Sequence, residues 1–222
     1  MSDLAQLRLL AAQLDERLAE RSSIEPDDAA LPSADAETAA QLMKTFAHQV
    51  GGPWPTSVEP PLLIECLHCL SCLAALSAAA CAAMLGEWPT AEGTTTAVAL
   101  AVQAASPADP AALALPVRVQ HLALMLLVNL SVSPEGGKLV DKGHRDSLEG
   151  WAVGLEDPRS RSLTRCLLDN IAQHSGIVHH ITRRAAPGKL QLIAPQRMLA
   201  AFGKLEQVSA PAILGRVMSG QL

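Results

Sequence analysis

Residues 118–140 read RVQHLALMLLVNLSVSPEGGKLV, and residues 161–181 read RSLTRCLLDNIAQHSGIVHHI. In both, a long apolar run ends in Asn, then an aliphatic residue, then a small one: Asn129-Leu130-Ser131 and Asn170-Ile171-Ala172. A turn containing Ser and Gly follows, and after it a short aliphatic element. The two asparagines lie 41 residues apart, a period typical of stacked helical units. Helix pairs this apolar cannot bury both faces alone, so neighbours on either side must cover them.

The stretch 116–181 resembles an armadillo-type helical repeat, and 61–115 and 190–218 fit the pattern more loosely. Asn129-Leu130-Ser131, the turn Pro134-Glu135-Gly136-Gly137 and Leu139-Val140-Asp141-Lys142-Gly143 are similar to that family's third helix leading into the next repeat. Leu155-Glu156-Asp157-Pro158 is similar to its inter-helix turn. The resemblance implies an all-α fold: a right-handed superhelical stack of about three armadillo-like units, related to the armadillo/HEAT class and preceded by N-terminal helices. It also implies a protein-interaction role, in which Asn129 and Asn170 meet the backbone of a bound segment. The Trp that often stands one turn earlier in the family's peptide grooves is replaced here by Met125 and Cys166, and an Asn bonding to the neighbouring repeat is the structural alternative. The order of elements over 117–158 and 194–200 is similar to armadillo adaptors of meiotic recombination.

Composition agrees with a helical reading. The 222 residues suit one domain or two small ones. Apolar residues make up 49% but aromatics only 2%, with no Tyr. Ala and Leu fill the difference, which favours closely packed helices over sandwiches and barrels. No segment alternates with period two, so no sheet is expected. Few aromatics also count against proteins that stack bases on rings.

Punctuation along the chain divides it further. Leu4, Leu7, Ala11, Leu14 and Leu18 form an a/d seam on a helix over 4–21, two heptads being too few to prove a coiled coil. Residues 22–35 read as a linker, which gives an N-terminal region 1–34 and a helical-repeat domain 35–222. Asp35 is placed as the cap of a helix running to Val50. An apolar helix over 61–86 is expected to break near Ser77. Further helices are expected at 94–105 and 116–131, a short turn at 139–142 ended by Gly143, and helices at 147–155 and 163–174. A short element over 177–184 and two last helices, near 190–202 and 205–218, complete the chain.

Charge is polarised. The net charge is −5, yet residues 158–222 carry nine bases against two acids. Arg159, Arg161, Arg165, Arg183 and Arg184 are therefore candidates for contact with an acidic partner, the alternative being neutralisation by the acidic remainder of the chain. Nucleic acid is the second partner class, a recombination or repair adaptor using the basic C-terminal third, disfavoured by net acidity and few aromatics.

Cys66, Cys69 and Cys72 surround His68 in a run of 21 residues, Cys66 to Gly86, that carries no formal charge. The run is long enough to span a bilayer, but it is rich in Ala, Cys and Ser and lacks a basic flank, so a buried helix fits better and no membrane is expected. On a helix the three thiols fan over about 120°, unlike the irregular loops that hold clusters, so they read as small packing residues without a metal. Adjacent His179 and His180 point about 100° apart and make a poor chelate. Five cysteines in total, an odd number, indicate reduced thiols and a cytoplasmic or nuclear setting. MSDLAQLRLL does not read as a signal peptide. No G-x-S-x-G, Walker A or H-E-x-x-H pattern occurs. The sequence thus points to a non-enzymatic scaffold or adaptor with no catalytic residue and no cofactor.

Overall fold

The computed structural model describes residues 3–21, 32–50, 59–90, 93–106 and 116–175. In chain order these form α1 (Asp3–Arg21), α2 (Pro32–Val50), α3 (Pro60–Leu76), α4 (Ala78–Met84), β1 (Glu87–Thr90), β2 (Gly93–Thr96), α5 (Ala97–Ala105), α6 (Val117–Leu130), α7 (Pro134–Gly154) and α8 (Pro158–Ser175). Among the described residues the fold is all-α apart from the β1–β2 hairpin. The basic residues Lys189, Arg197, Lys204 and Arg216 and the elements expected beyond 175 lie outside the described residues, as do Arg183 and Arg184.

Local chemistry sets the helix ends. Pro60 and Pro61 open α3, where a missing N–H costs nothing. Ser77 divides the long apolar run. Its extended backbone (φ −139, ψ 119) closes α3 through its N–H to the Leu73 carbonyl, and its Oγ accepts from the Ala80 N–H to open α4. Thr96 and Ser133 cap α5 and α7 in the same way, through the N–H groups of Ala99 and Gly136. No helix among the described residues is long and apolar enough to cross a membrane.

Three expectations are corrected. Residues 94–96 are strand, not helix: the β-branched run Thr94-Thr95-Thr96 pairs antiparallel with Glu87–Trp88–Pro89, and Gly93 turns the chain at φ 138. Strands of four residues are too short for alternation to show in sequence. Second, α2 begins at Pro32, so Asp35 sits inside its first turn and forms a two-pronged pair with Arg17 of α1 at 2.9 and 3.0 Å. Third, α7 is one helix of 21 residues running through Gly143. Packing against α8 and the i,i+4 pairs of Arg145 with Asp141 and Glu149 outweigh the weak helix propensity of glycine there.

The helices pack in two rows. One is α1, α3, α6 and α8, each against the next; the other is α2, α5 and α7. Across the rows, α2 covers α3, α5 covers α6 and α7 covers α8. Helix α6 is enclosed by α3, α5 and α8, which is why every residue from His121 to Leu130 is buried. Ala11, Leu14 and Leu18 on the seam of α1 join the same core as Leu63, Leu67 and Leu70 of α3.

Helices α6 and α8 run in the same direction. Near their starts His121 meets Asp157 at 2.7 Å and the Ser160 hydroxyl donates to Gln120 at 2.8 Å. Near their ends Asn170 donates to the Val128 carbonyl at 3.3 Å, and His174 donates to that of Ser131 at 2.9 Å.

The turn between α6 and α7 is tight enough to require glycine. A Cβ on Gly136 would collide with the Leu130 carbonyl, and one on Gly137 would lie 2.7 Å from the His174 ring. Gly143 has nothing within 4 Å of such an atom. Equilibrium denaturation should therefore give opposite signs within one helix. Gly136→Ala should destabilise by about 1–3 kcal/mol through overpacking. Gly143→Ala should stabilise by about 0.5–1 kcal/mol through propensity. Equal effects at the two positions would contradict the close approach.

Candidate partner-binding site

The two asparagines lie inside the molecule. Asn129 is 1% and Asn170 0% exposed. Asn129 Nδ2 donates to the Ser71 carbonyl of α3 at 3.0 Å. Asn170 Nδ2 donates to the Val128 carbonyl and, at 3.1 Å, to the Ser131 hydroxyl. Each amide thus reaches the backbone of the preceding helix in its row, and Ser71 Oγ returns a bond to the Leu122 carbonyl. The arrangement repeats in register. Asn170 bonds the residue just before Asn129, and Asn129 bonds the residue just before Cys72. Cys72 therefore occupies the next rung, and its thiol points on to Asp15 of α1 at 3.6 Å.

Beside the Asn129 rung, the break at Ser77 and the turn after α6 leave a groove of about 1000 Å3. Its walls are apolar: Ala74, Leu76, Ala78 and Leu85 on one side, Val132 and Leu139 on the other, with Asn129 also in the lining. Its charged residues are Glu135, Lys138 and Lys142 of α7, all exposed. Sequence reasoning did not single out these lysines, because residues 134–142 read as a turn and a short helical turn; only the continuity of α7 aligns them over an apolar wall.

The arginines expected to meet a partner separate. The Arg161 guanidinium donates to the carbonyls of Leu155 and, at 3.0 Å, Glu156, closing the C-terminal end of α7. Arg159 is half-buried and Arg165 exposed on α8.

All five cysteines are free thiols. Cys66 donates to the Leu42 carbonyl of α2, Cys69 to that of Leu7 in α1, and Cys81 to that of Ala74. Burial pushes Cys81 up to about 11, and burial with the nearby carboxylates Glu65 and Asp15 pushes Cys69 up to about 12. Burial also raises Cys66 and Cys72 far above the ordinary thiol range. In the metal-free protein these groups are protonated at neutral pH.

No family model, curated protein or solved structure matches the chain. What the chain can do is therefore carried by its own geometry.

At the start of α8, burial pushes the Asp157 carboxyl up, but the His121 imidazole and the backbone and side chain of Ser160 outweigh this and hold it below its ordinary value. Its folded value lies below the unfolded one, so the stabilisation is present above the unfolded carboxylate range, about pH 4, and is lost as pH falls through the lowered folded value. Asp157→Asn should lower stability at neutral pH and flatten the fall in unfolding free energy below about pH 4. Superimposable acid limbs for variant and wild type would show that the His121–Asp157 contact is not formed.

Proposed function

We propose that the chain is a non-enzymatic interaction scaffold. In this reading the pairs α2–α3, α5–α6 and α7–α8 are about three armadillo-like units in a right-handed superhelical stack. Support comes from the two-row packing, the parallel course of α6 and α8, and the recurrence of one hydrogen-bond arrangement along α8, α6 and α3. The free thiols accord with a binding role in a reducing compartment, cytoplasmic or nuclear.

The observation that carries the reading is the groove between α3–α4 and the start of α7. Its walls are apolar and its two lysines outnumber its single glutamate. An amphipathic helical segment with acidic flanks matches both features: its apolar stripe fills the groove and its carboxylates meet Lys138 and Lys142. Asn129 shapes this surface through its bond to Ser71, and Asn170 holds α8 against α6, rather than either reaching the partner.

A display library of amphipathic helical peptides with acidic flanks, read by fluorescence anisotropy at moderate salt, tests the proposal. Selected peptides should bind saturably. Changing Lys138 and Lys142 together to Glu should weaken them at least tenfold, about 1.4 kcal/mol, without lowering Tm. Ala82→Trp, which fills the groove, should abolish binding. Wild-type affinity in both variants would place the interface elsewhere. Binding of any nucleic acid regardless of sequence, falling steeply with salt, would replace the scaffold with the nucleic-acid alternative.

A further inference from the structure

The rung at Cys72 differs in chemistry from those at Asn129 and Asn170. Instead of an amide meeting a backbone carbonyl, it brings together a thiol, an imidazole and a carboxylate. His68 Nε2 donates to Asp15 Oδ1 at 3.0 Å, and Cys72 Sγ donates to the same oxygen at 3.6 Å. The three ligand atoms all lie within 4.8 Å of one another. His68 and Cys72 are buried, whereas the Asp15 side chain is 20% exposed.

We propose that Asp15, His68 and Cys72 form a Zn2+ site that staples α1 to α3. Ligand type favours this class of ion: thiolate and imidazole select zinc over magnesium or calcium, which prefer all-oxygen sets. Spacing agrees as well. His68 and Cys72 are four residues apart, so they project from one face of α3. Bonds of about 2.3 Å to sulfur and 2.0–2.2 Å to nitrogen and oxygen give a tetrahedron with edges of about 3.3–3.6 Å. The two separations to Asp15, 3.0 and 3.6 Å, need only tenths of an ångström of adjustment, and the His68–Cys72 separation, within 4.8 Å, must close to about 3.6 Å. The exposed edge of Asp15 supplies an entry path, and the fourth position remains for water.

Metal entry balances simply. The Cys72 thiol gives one proton to solvent and becomes the thiolate ligand. The His68 imidazole shifts the proton that it donates to Asp15 from Nε2 to Nδ1, freeing Nε2 for the metal, and Asp15 ligates through its carboxylate. Without metal, the two hydrogen bonds to Asp15 satisfy the same groups, so the fold persists while α1 is held less firmly. Zinc supply then governs how tightly the N-terminal helix is docked.

Cobalt(II) titration of the full, reduced, metal-stripped chain tests this. A thiolate-to-cobalt charge-transfer band should grow to one equivalent and vanish on adding Zn2+. Cys72→Ser should remove the band, whereas Cys66→Ala, whose thiol faces α2, should keep it. Asp15→Asn, at a partly exposed position, should weaken zinc binding at least tenfold in a chelator competition and cancel the rise in Tm that Zn2+ gives the wild type. The proposal is overturned if the wild type shows no band at one equivalent, if the band survives Cys72→Ser, or if Asp15→Asn binds zinc at wild-type affinity. Should Cys72→Ser fail to fold, the wild-type titration and Asp15→Asn still decide.

Discussion

A polar side chain inside an apolar helix must find a partner, and that requirement orders this molecule. Asn129 and Asn170 sit at positions with no access to water, where an unpaired amide would cost about 1–3 kcal/mol. Each is satisfied only if the preceding helix lies alongside at one register: α3 for Asn129, α6 for Asn170. Apolar packing tolerates sliding, because Leu against Leu is nearly the same one turn up or down. The amides do not tolerate it. They make apolar helix packing specific in register, and α2, α5 and α7 cover the helices so aligned.

The same ladder explains where surface features fall. Ser71 is both acceptor for Asn129 and donor to Leu122, which fixes α3 against α6 just before α3 ends at Ser77. The break there, and the glycine-tight turn after α6, open the groove on one side. At the other end of the row the rung passes from Asn to Cys72, and α1 answers with Asp15. The Arg17–Asp35 pair then ties α1 to the start of α2. The groove thus lies beside the Asn129 rung, and the candidate metal site lies at the α1 end of the same chain of contacts.

Much of this was legible in sequence where the signal is local or repeats. The 41-residue offset of the asparagines pointed to adjacent, equivalent helices, the seam Leu7, Ala11, Leu14, Leu18 to a docked α1, and Ser77 to a break. Other features depend on contacts that no local pattern encodes. Gly143 reads as a stop, but the packing of α7 on α8 overrides it. The threonines of β2 read as helix because their pairing strand is only four residues long. Asp15 and His68 stand 53 residues apart, and nothing in either neighbourhood announces their meeting. Arg161 reads as a binding residue by charge, yet it is spent on the end of α7. The asparagines were identified for the right helices; burial gives them to the stack instead of to a ligand.

The most direct test of the ladder is the equilibrium unfolding free energy of Asn129→Ala and Asn170→Ala beside the wild type. Each substitution removes the inter-helix hydrogen bond to Ser71 or Val128 and leaves a small cavity, so each variant should remain cooperative and lose about 1–3 kcal/mol. Losses below about 0.5 kcal/mol in both variants, the scale of ordinary surface substitutions, would contradict the claim that these amides hold α3, α6 and α8 in register.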